Sequence, residues 1–505
     1  MKIIVHSSYS AQTISANLGK AEYSYYFVLA GYMPALRQLG DVVTVDDAET
    51  EADAIFDACQ AAGEACVFLC FAPPHLVPTT LRCPTIPVVA WEFSTIPCEQ
   101  WAEDPRSDWR VVFAHCKRVI ALSNHTAALV REAMGEDFPV FAIPTASYEA
   151  FADIGPALPA SAERRLHLHG YLFDSAADPR FSVNPPWPPV PARHFGPPLP
   201  EVLPPPPPPP PEPVRPSLRK RVSVTVYYLR AWYREVVRDI LPAPLKRLAS
   251  ACGRASYRVF RAPKPVPPPP APALPECDVV LSGIVYVSVF APQDGRKNWQ
   301  DLLTGFVWAF RDNPGATLFL KVPIRGGVEA YPILHALLTQ FGPFKCRVVF
   351  FAGFLEDSDY RALVRASTYY VNTSHGEGLC LPLMEFLSAG RPAVAPNHTA
   401  MADYINTDIA FVLRACLEHN VWPFDPRDLF TTMRYRLNWE SLVTAYEQSY
   451  VLATTGDSRY AVMGGAAQDA MREFCAQDVV QAKLSEALGI PSLAPTAQET
   501  GMVAA

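Results

Sequence analysis

"TYYVNTSHGEGLCLPLMEFLSAGRPAVAP", residues 368–396, is the stretch whose reading decides the fold. Its opening "TYYVNTS" predicts a buried strand, and "HGEG" (375–378) supplies the glycines of a turn at the strand's carboxyl end. "LCLPLMEFLSAG" then predicts a helix, with Pro382 in the first turn, where a missing N–H costs nothing, and Gly390 just past the end. This order aims the loop amides and the helix N-terminus outward, a place that holds anions such as a diphosphate. Glu377 precedes the helix and Glu385 lies within its early turns. Carboxylates repel phosphate, so each is better used to accept hydrogen bonds from hydroxyls on either side of it. A nucleotide sugar has that layout.

Working outward, the same alternation of apolar strands and helix-length segments recurs in two blocks. "KIIV", "ACVFLCF", "IPVVAWEF", "RVIALS" and "VFAIP" fill the first, up to about Pro144. "VVLSGIVYVSVF", "ATLFLKVP", "RVVFFAGF", "TYYVNTS" and "PAVAP" fill the second, from about Asp278. Strands apolar on both faces and separated by helices form parallel sheets. Two such domains bind ligands in a cleft at the strands' carboxyl ends. A chain of 505 residues exceeds what one core serves, which agrees with two domains.

Between the blocks the composition changes. More than half of the 53 prolines fall between Pro185 and Pro275, including "LPPPPPPPPEP", which suits extended polyproline helix or spacer. From Arg215 to Lys264, basic residues far outnumber acids and alternate with aliphatic and aromatic ones. That pattern suits an amphipathic helix on an anionic membrane surface, through residues 213–264. It equally suits a solvated helix or a docking site for another protein.

Several classes are excluded. Hydrophobic residues at 50% and charged residues at 18% describe a globular chain, and a net charge of -7 argues against nucleic acid as a partner. The twelve cysteines are scattered without partner sets, which speaks for reduced thiols and no metal site. No apolar run reaches the ~20 residues that span a bilayer, so the expected location is cytoplasmic, peripheral at the inner membrane face if the insert binds there. No Gly-x-Gly-x-x-Gly opens the first helix, against a nicotinamide enzyme, and no cofactor is expected.

"VRASTYYVNTSHGEGLCLPLMEFLSAGRPAVAP" resembles the E-x(7)-E region of retaining glycosyltransferases of family 4, the "glycosyl transferases group 1" type with a GT-B fold. The resemblance covers most of residues 280–410, agrees more weakly over 1–145, and does not extend to the insert. It implies that Glu377 positions the transferred sugar, that Glu385 holds the ribose, and that N–H groups near Gly376, Gly378, Leu379 and Cys380 meet the phosphates. It also implies that strand-end cations neutralise the donor diphosphate. Arg296 and Lys321 are assigned to that task, with Lys297 as a substitute, although the family's upstream "GR" is missing. His375 either bonds the sugar or stabilises its turn. Gly19 is either a donor contact or an ordinary helix-start glycine.

On the first domain, Glu92 stands where many such enzymes carry a histidine. It either orients or deprotonates the acceptor hydroxyl, binds sugar hydroxyls, or forms a salt bridge. Ser123, His125 and Thr126 follow another strand and are candidates to line the acceptor side. The expectation is an α/β GT-B chain: a first Rossmann-like acceptor domain over 1–175, a proline-rich and basic insert over 176–277, a second, nucleotide-sugar-binding domain over 278–455, a helix packing back over 456–490, and a flexible tail over 491–505. Its expected activity is metal-independent transfer of a mannose- or glucose-type hexose to a glycan or a polyprenyl-diphosphate-linked acceptor, in cell-surface polysaccharide synthesis. An epimerase or phosphorylase of the same fold, or a scaffold acting through the proline runs, are the alternatives.

Overall fold

The computed structural model of the chain describes residues 1–10, 13–14, 22–178, 180–181, 274–423, 425, 427–456 and 458–490. The expectations placed on Gly19, on the basic segment 213–264 and on the tail 491–505 lie outside the described residues.

Each apolar run of the first block forms a strand: β1 (Lys2–Ser7), β3 (Cys66–Phe71), β4 (Thr85–Val89), β5 (Val119–Ala121) and β6 (Val140–Ala142). With β2 (Asp41–Thr44) they make one all-parallel sheet in the order β2-β1-β3-β4-β5-β6. Alternate residues of β1 face opposite layers. Ile3 and Val5 join Val28, Tyr32 and Leu36 of helix α1 (Ser24–Leu39), while Ile4 joins Ala48, Ala52 and Cys59 of α2 (Ala48–Ala61). Burial on both faces is why β3 carries no charged residue. Helices α3 (Trp109–Cys116) and α4 (Asn124–Met134) complete this half. Asp47, Asp108 and Ser123 cap α2, α3 and α4 by accepting from the N–H groups of Glu49, Arg110 and Thr126.

After the single turn α5 (Tyr148–Phe151), the chain enters a second sheet of eight strands. These are β7 (Arg164–Asp174), β8 (Glu276–Leu281), β9 (Ile284–Val289), β10 (Ala316–Val322), β11 (Arg347–Gly353), β12 (Tyr369–Val371), β13 (Ala393–Pro396) and β14 (Ala410–Leu413). Their order is β14-β13-β12-β9-β10-β11-β7-β8. Strands β9 to β14 are parallel, whereas β7 runs antiparallel to β11 and β8 antiparallel to β7. Two parallel-dominated sheets flanked by helices make the architecture α/β, as expected. β9 lies between β10 and β12, so the strand order reverses there and the turns after β9 and β12 open on one crevice.

Two details depart from the sequence reading. The run "VVLSGIVYVSVF" is two strands rather than one, because the chain turns at Gly283, whose φ is +73° and where a Cβ would lie 2.1 Å from the Gly315 carbonyl oxygen. β7 falls within residues 1–175, yet its hydrogen bonds go to the second sheet.

Helices α6 (Trp299–Phe310), α7 (Ile324–Phe341), α8 (Asp357–Ala366), α9 (Leu381–Ser388) and α10 (Trp439–Thr454) cover the second sheet, and a hairpin of β15 (Ala415–Val421) and β16 (Thr431–Leu437) projects from it. The C-terminal segment is two helices, α11 (Ser458–Cys475) and α12 (Gln477–Leu488), broken where Ala476 turns extended. α12 lies against α1, and Arg118 Nη1 donates to the Ala487 carbonyl at 2.7 Å. Among the described residues no helix is long and apolar enough to cross a membrane.

Candidate functional site

The crevice forms where the turns after β9 and β12 meet. The β9 turn ends in "DGRKN" (294–298), with the Asp294 side chain accepting from Arg296 N and the chain entering α6 through Asn298 at positive φ. The β12 turn is "NTSHGEGLC" (372–380), and Cys380 adopts φ +65° before Pro382 opens α9. Among the described residues no side chain caps that helix start.

Glu377, only 3% exposed, sits at the centre. Arg296 Nη1 reaches Oε2 at 2.7 Å, and Lys297 Nζ lies 2.8 Å from both oxygens. Ser374 Oγ donates to Oε1 at 2.5 Å and Asn372 Nδ2 at 3.3 Å, while Thr399 Oγ1 accepts from Glu377 N at 3.0 Å. Burial opposes ionisation, but Lys297 and Arg296 outweigh it and hold this carboxyl well below its usual range. Arg296 is shared further, with its Nε 3.0 Å from Glu92 Oε1 and 2.9 Å from Asp294 Oδ2. Its charge is thereby fixed more firmly than burial alone would permit.

Glu92 comes from the first sheet, just beyond β4. A Cβ on Gly376 would lie 2.3 Å from the Glu92 carbonyl oxygen, and one on Gly378 would lie 2.8 Å from Ala90 Cβ. Only glycine at 376 and 378 lets the two strand ends touch. Of the readings open for Glu92, the structure contains the salt bridge, and burial pushes its carboxyl up against the pull of Arg296.

Ser123, Thr126 and His125 support that strand end from behind. Ser123 caps α4, and Thr126 Oγ1 accepts from Trp91 N and donates to Trp91 O. His125 Nε2 donates to the Phe93 carbonyl at 2.9 Å, and burial lowers its pKa. Thr126 and His125 Nε2 are thus committed to the loop that carries Glu92, while the Ser123 hydroxyl holds Thr126.

The remaining predicted residues form a second group. Lys321, at the end of β10, is buried, and burial lowers its pKa to about 8 against the field of Glu385. Glu385 accepts from Tyr360 Oη at 2.5 Å, and burial raises its carboxyl to about 7 despite Tyr360 and Lys321. The cation expected as a substitute, Lys297, therefore joins Arg296 at Glu377, while Lys321 faces the other glutamate. His375 is held through Nδ1–H to the Tyr435 carbonyl at 2.7 Å and N–H to the Arg296 carbonyl at 2.7 Å, with burial lowering its pKa. Leu379 accepts from Tyr404 Oη at 2.9 Å, and burial pushes the Cys380 thiol up to about 12.

Sequence reasoning missed Asn372, Ser374, Asp294, Thr399 and Tyr360. The first two lie in the quoted stretch, where polar residues ending an apolar strand are the available signal. It also missed a second bridge between the sheets. Trp422 at the hairpin tip packs on Trp91 and Trp101, with centroids 5.8 and 5.0 Å apart, and Arg427 reaches Glu99 at 3.2 Å. Among the described residues no group of three or more His, Cys, Asp or Glu is placed to hold a metal.

Residues 284–420 match the family model described as glycosyl transferases group 1. That region runs from β9 to β15 and contains Arg296, Lys297, Lys321, Glu377 and Glu385. No curated protein matches the chain. Among solved structures, it is similar to a glycosyltransferase from Rickettsia africae ESF-5, at 10% identity and TM-score 0.49 over 97% of this chain and 98% of that one. It is similar also to Anabaena Alr3699/HepE in complex with UDP and glucose, at 12% identity and TM-score 0.46 over 97% and 99%. A third is the sucrose-phosphate synthase of Thermosynechococcus elongatus, at 11% identity and TM-score 0.47 over 97% and 98%.

Proposed function

We propose that this chain is a retaining GT-B glycosyltransferase that moves a mannose- or glucose-type hexose from a nucleotide-diphosphate donor to a glycan or polyprenyl-diphosphate-linked acceptor in cell-surface polysaccharide synthesis. The observation that carries the reading is the Glu377 cluster, where a buried carboxylate, two cations and an uncapped helix start converge within the region that matches the family model. Arg296, Lys297 and the N–H groups around Gly378, Leu379 and Cys380 take the departing diphosphate and stabilise its growing charge without a metal. Glu377 accepts hydrogen bonds from the sugar, and Glu385, beside Lys321, accepts from the ribose. The acceptor attacks on the face from which the diphosphate leaves.

Three carboxylates, Glu377, Glu92 and Asp294, neutralise the two cations before donor arrives. Glu92 belongs to the opposite sheet, so it is the partner that separates as the strand ends part to admit donor. Freed from Arg296, a carboxyl already pushed up by burial is suited to take the acceptor's proton. The basic segment 213–264 would hold the enzyme at the inner face of an anionic membrane. A thermal-shift screen against UDP, GDP, ADP and their sugars, followed by transfer assays with the stabilising sugar, tests the reading. Absence of both binding and transfer would overturn it. Deleting residues 213–264 should release the protein from anionic vesicles, and unchanged co-sedimentation removes the membrane assignment.

A further inference from the structure

The geometry points to Tyr360 as a positioning residue for the donor's nucleoside: its hydroxyl holds one oxygen of Glu385 and leaves the other oxygen for the ribose. The inference rests on the reading of Glu385 as the ribose acceptor. Tyr360 lies on α8, apart from the turns that form the crevice, and neither spacing nor motif connects it to α9.

The contact is built rather than incidental. Tyr360 Oη donates to Glu385 Oε2 at 2.5 Å. The ring is wedged between Phe151 and Phe386, with centroids 5.9 and 6.3 Å away and both packed edge-on. The next residue, Arg361, pairs with Asp153 at 2.7 Å, so the start of α8 is fixed against the chain after α5. A phenol with few rotamers left delivers its hydrogen bond without further ordering cost.

The charged and titratable surroundings explain why such a donor matters. Glu385 is acted on by Tyr360, by Lys321 from β10 and by Asp357 from α8, while Tyr370 and Cys380 face Tyr360. Burial and Asp357 favour the protonated carboxyl, whereas Tyr360 and Lys321 favour the anion. A protonated Glu385 would present a donor where a hydroxyl must donate. With the carboxyl poised near neutrality, loss of the phenol hydrogen bond shifts the balance towards the neutral acid.

The test is the affinity of the full-length protein for UDP, GDP and ADP, measured by calorimetry between about pH 6.5 and about pH 8, for wild type, Tyr360→Phe and Glu385→Gln. Tyr360→Phe keeps the ring between Phe151 and Phe386. It should bind the preferred diphosphate about tenfold more weakly near pH 6.5 and within about threefold of wild type near pH 8, because higher pH restores the anion. Glu385→Gln should weaken binding and lose the acid limb of wild type. A Tyr360→Phe defect equal at every pH, or none where Glu385→Gln weakens binding, overturns the role of Tyr360 and leaves the ribose reading standing. Should Tyr360→Phe be insoluble, a wild-type affinity flat across pH 7 overturns it as well. If wild type binds none of the three diphosphates, or Glu385→Gln binds as wild type, the ribose reading fails and the role of Tyr360 with it.

Discussion

The two glutamates of the β12–α9 unit occupy opposite electrostatic environments. Glu377 is enclosed by Arg296, Lys297, Ser374 and Asn372, so its charge is fixed well below neutral pH. Glu385, eight residues on, has one tyrosine and the field of one lysine, and its carboxyl is raised to about 7. Both carboxylates belong to the same strand–turn–helix unit and desolvation raises both, so loss of water does not separate them. The number of cations and donors within reach does. A permanently charged group suits a place where partial positive charge develops on the sugar, whereas a poised group suits reversible binding of a nucleoside.

The largest expected break in that contrast is Glu377→Ala, which should lower transfer by at least about a thousandfold, measured with radiolabelled donor. It also leaves Lys297 and Arg296 undercompensated, and a stability loss of about 3 kcal/mol in denaturant melts is expected, since removing one partner of a buried pair strands the other. In wild type the stability from this depressed carboxyl is present above about pH 4.3 and is lost as pH falls below it, and Glu377→Gln should flatten that acid limb. Glu92→Gln should lower kcat about a hundredfold while nucleotide affinity holds, because Arg296 keeps Asp294 and Glu377. An unchanged kcat would reduce Glu92 to a bridge between the sheets.

Smaller effects probe the poised member. Donor affinity in wild type should peak between about pH 7 and about pH 8: below it Glu385 takes up a proton, above it Lys321 loses one. Lys321→Met should remove the alkaline limb and weaken donor binding about tenfold. The smallest expected effect is none at all, with transfer unchanged after exhaustive chelation. An absolute metal requirement would contradict a diphosphate held by Arg296, Lys297 and backbone amides.

What the sequence discloses and what it withholds differ in range along the chain. The β12–α9 unit was readable because its signals are local: an apolar strand, two turn glycines, Pro382 and Gly390 within a short span. The cations of Glu377, Arg296 and Lys297, come from about eighty positions away, and the tyrosine of Glu385 comes from another helix 25 positions away; periodicity carries no information on such pairings. Hence Lys297 was expected only as a substitute, and Tyr360 was not expected at all. β7 reads "RRLHLHGYLFD", a polar–apolar alternation unlike the continuous apolar runs of the parallel strands. That alternation fits an antiparallel strand with one exposed face, and the structure places it between β11 and the edge strand β8. The hairpin escaped for a related reason, since its docking depends on Trp422 meeting Trp91 and Trp101 from a distant segment.

The antiparallel pair β7–β8 has a topological consequence. The chain departs after Asp174 and returns at Glu276 along the same sheet edge, with Gly170 N donating to the Pro275 carbonyl at 2.9 Å. The two strands are therefore closed on each other at one sheet edge by their own ladder. Loop-closure entropy grows only logarithmically, each doubling adding about 0.6 kcal/mol, so a loop at such an edge can lengthen from a few residues to a long segment at little cost to the sheet. Insertion at this edge is therefore a modular event: a proline-rich, basic segment can be gained, exchanged or lost in the history of the chain while the crevice between β9 and β12 keeps its geometry.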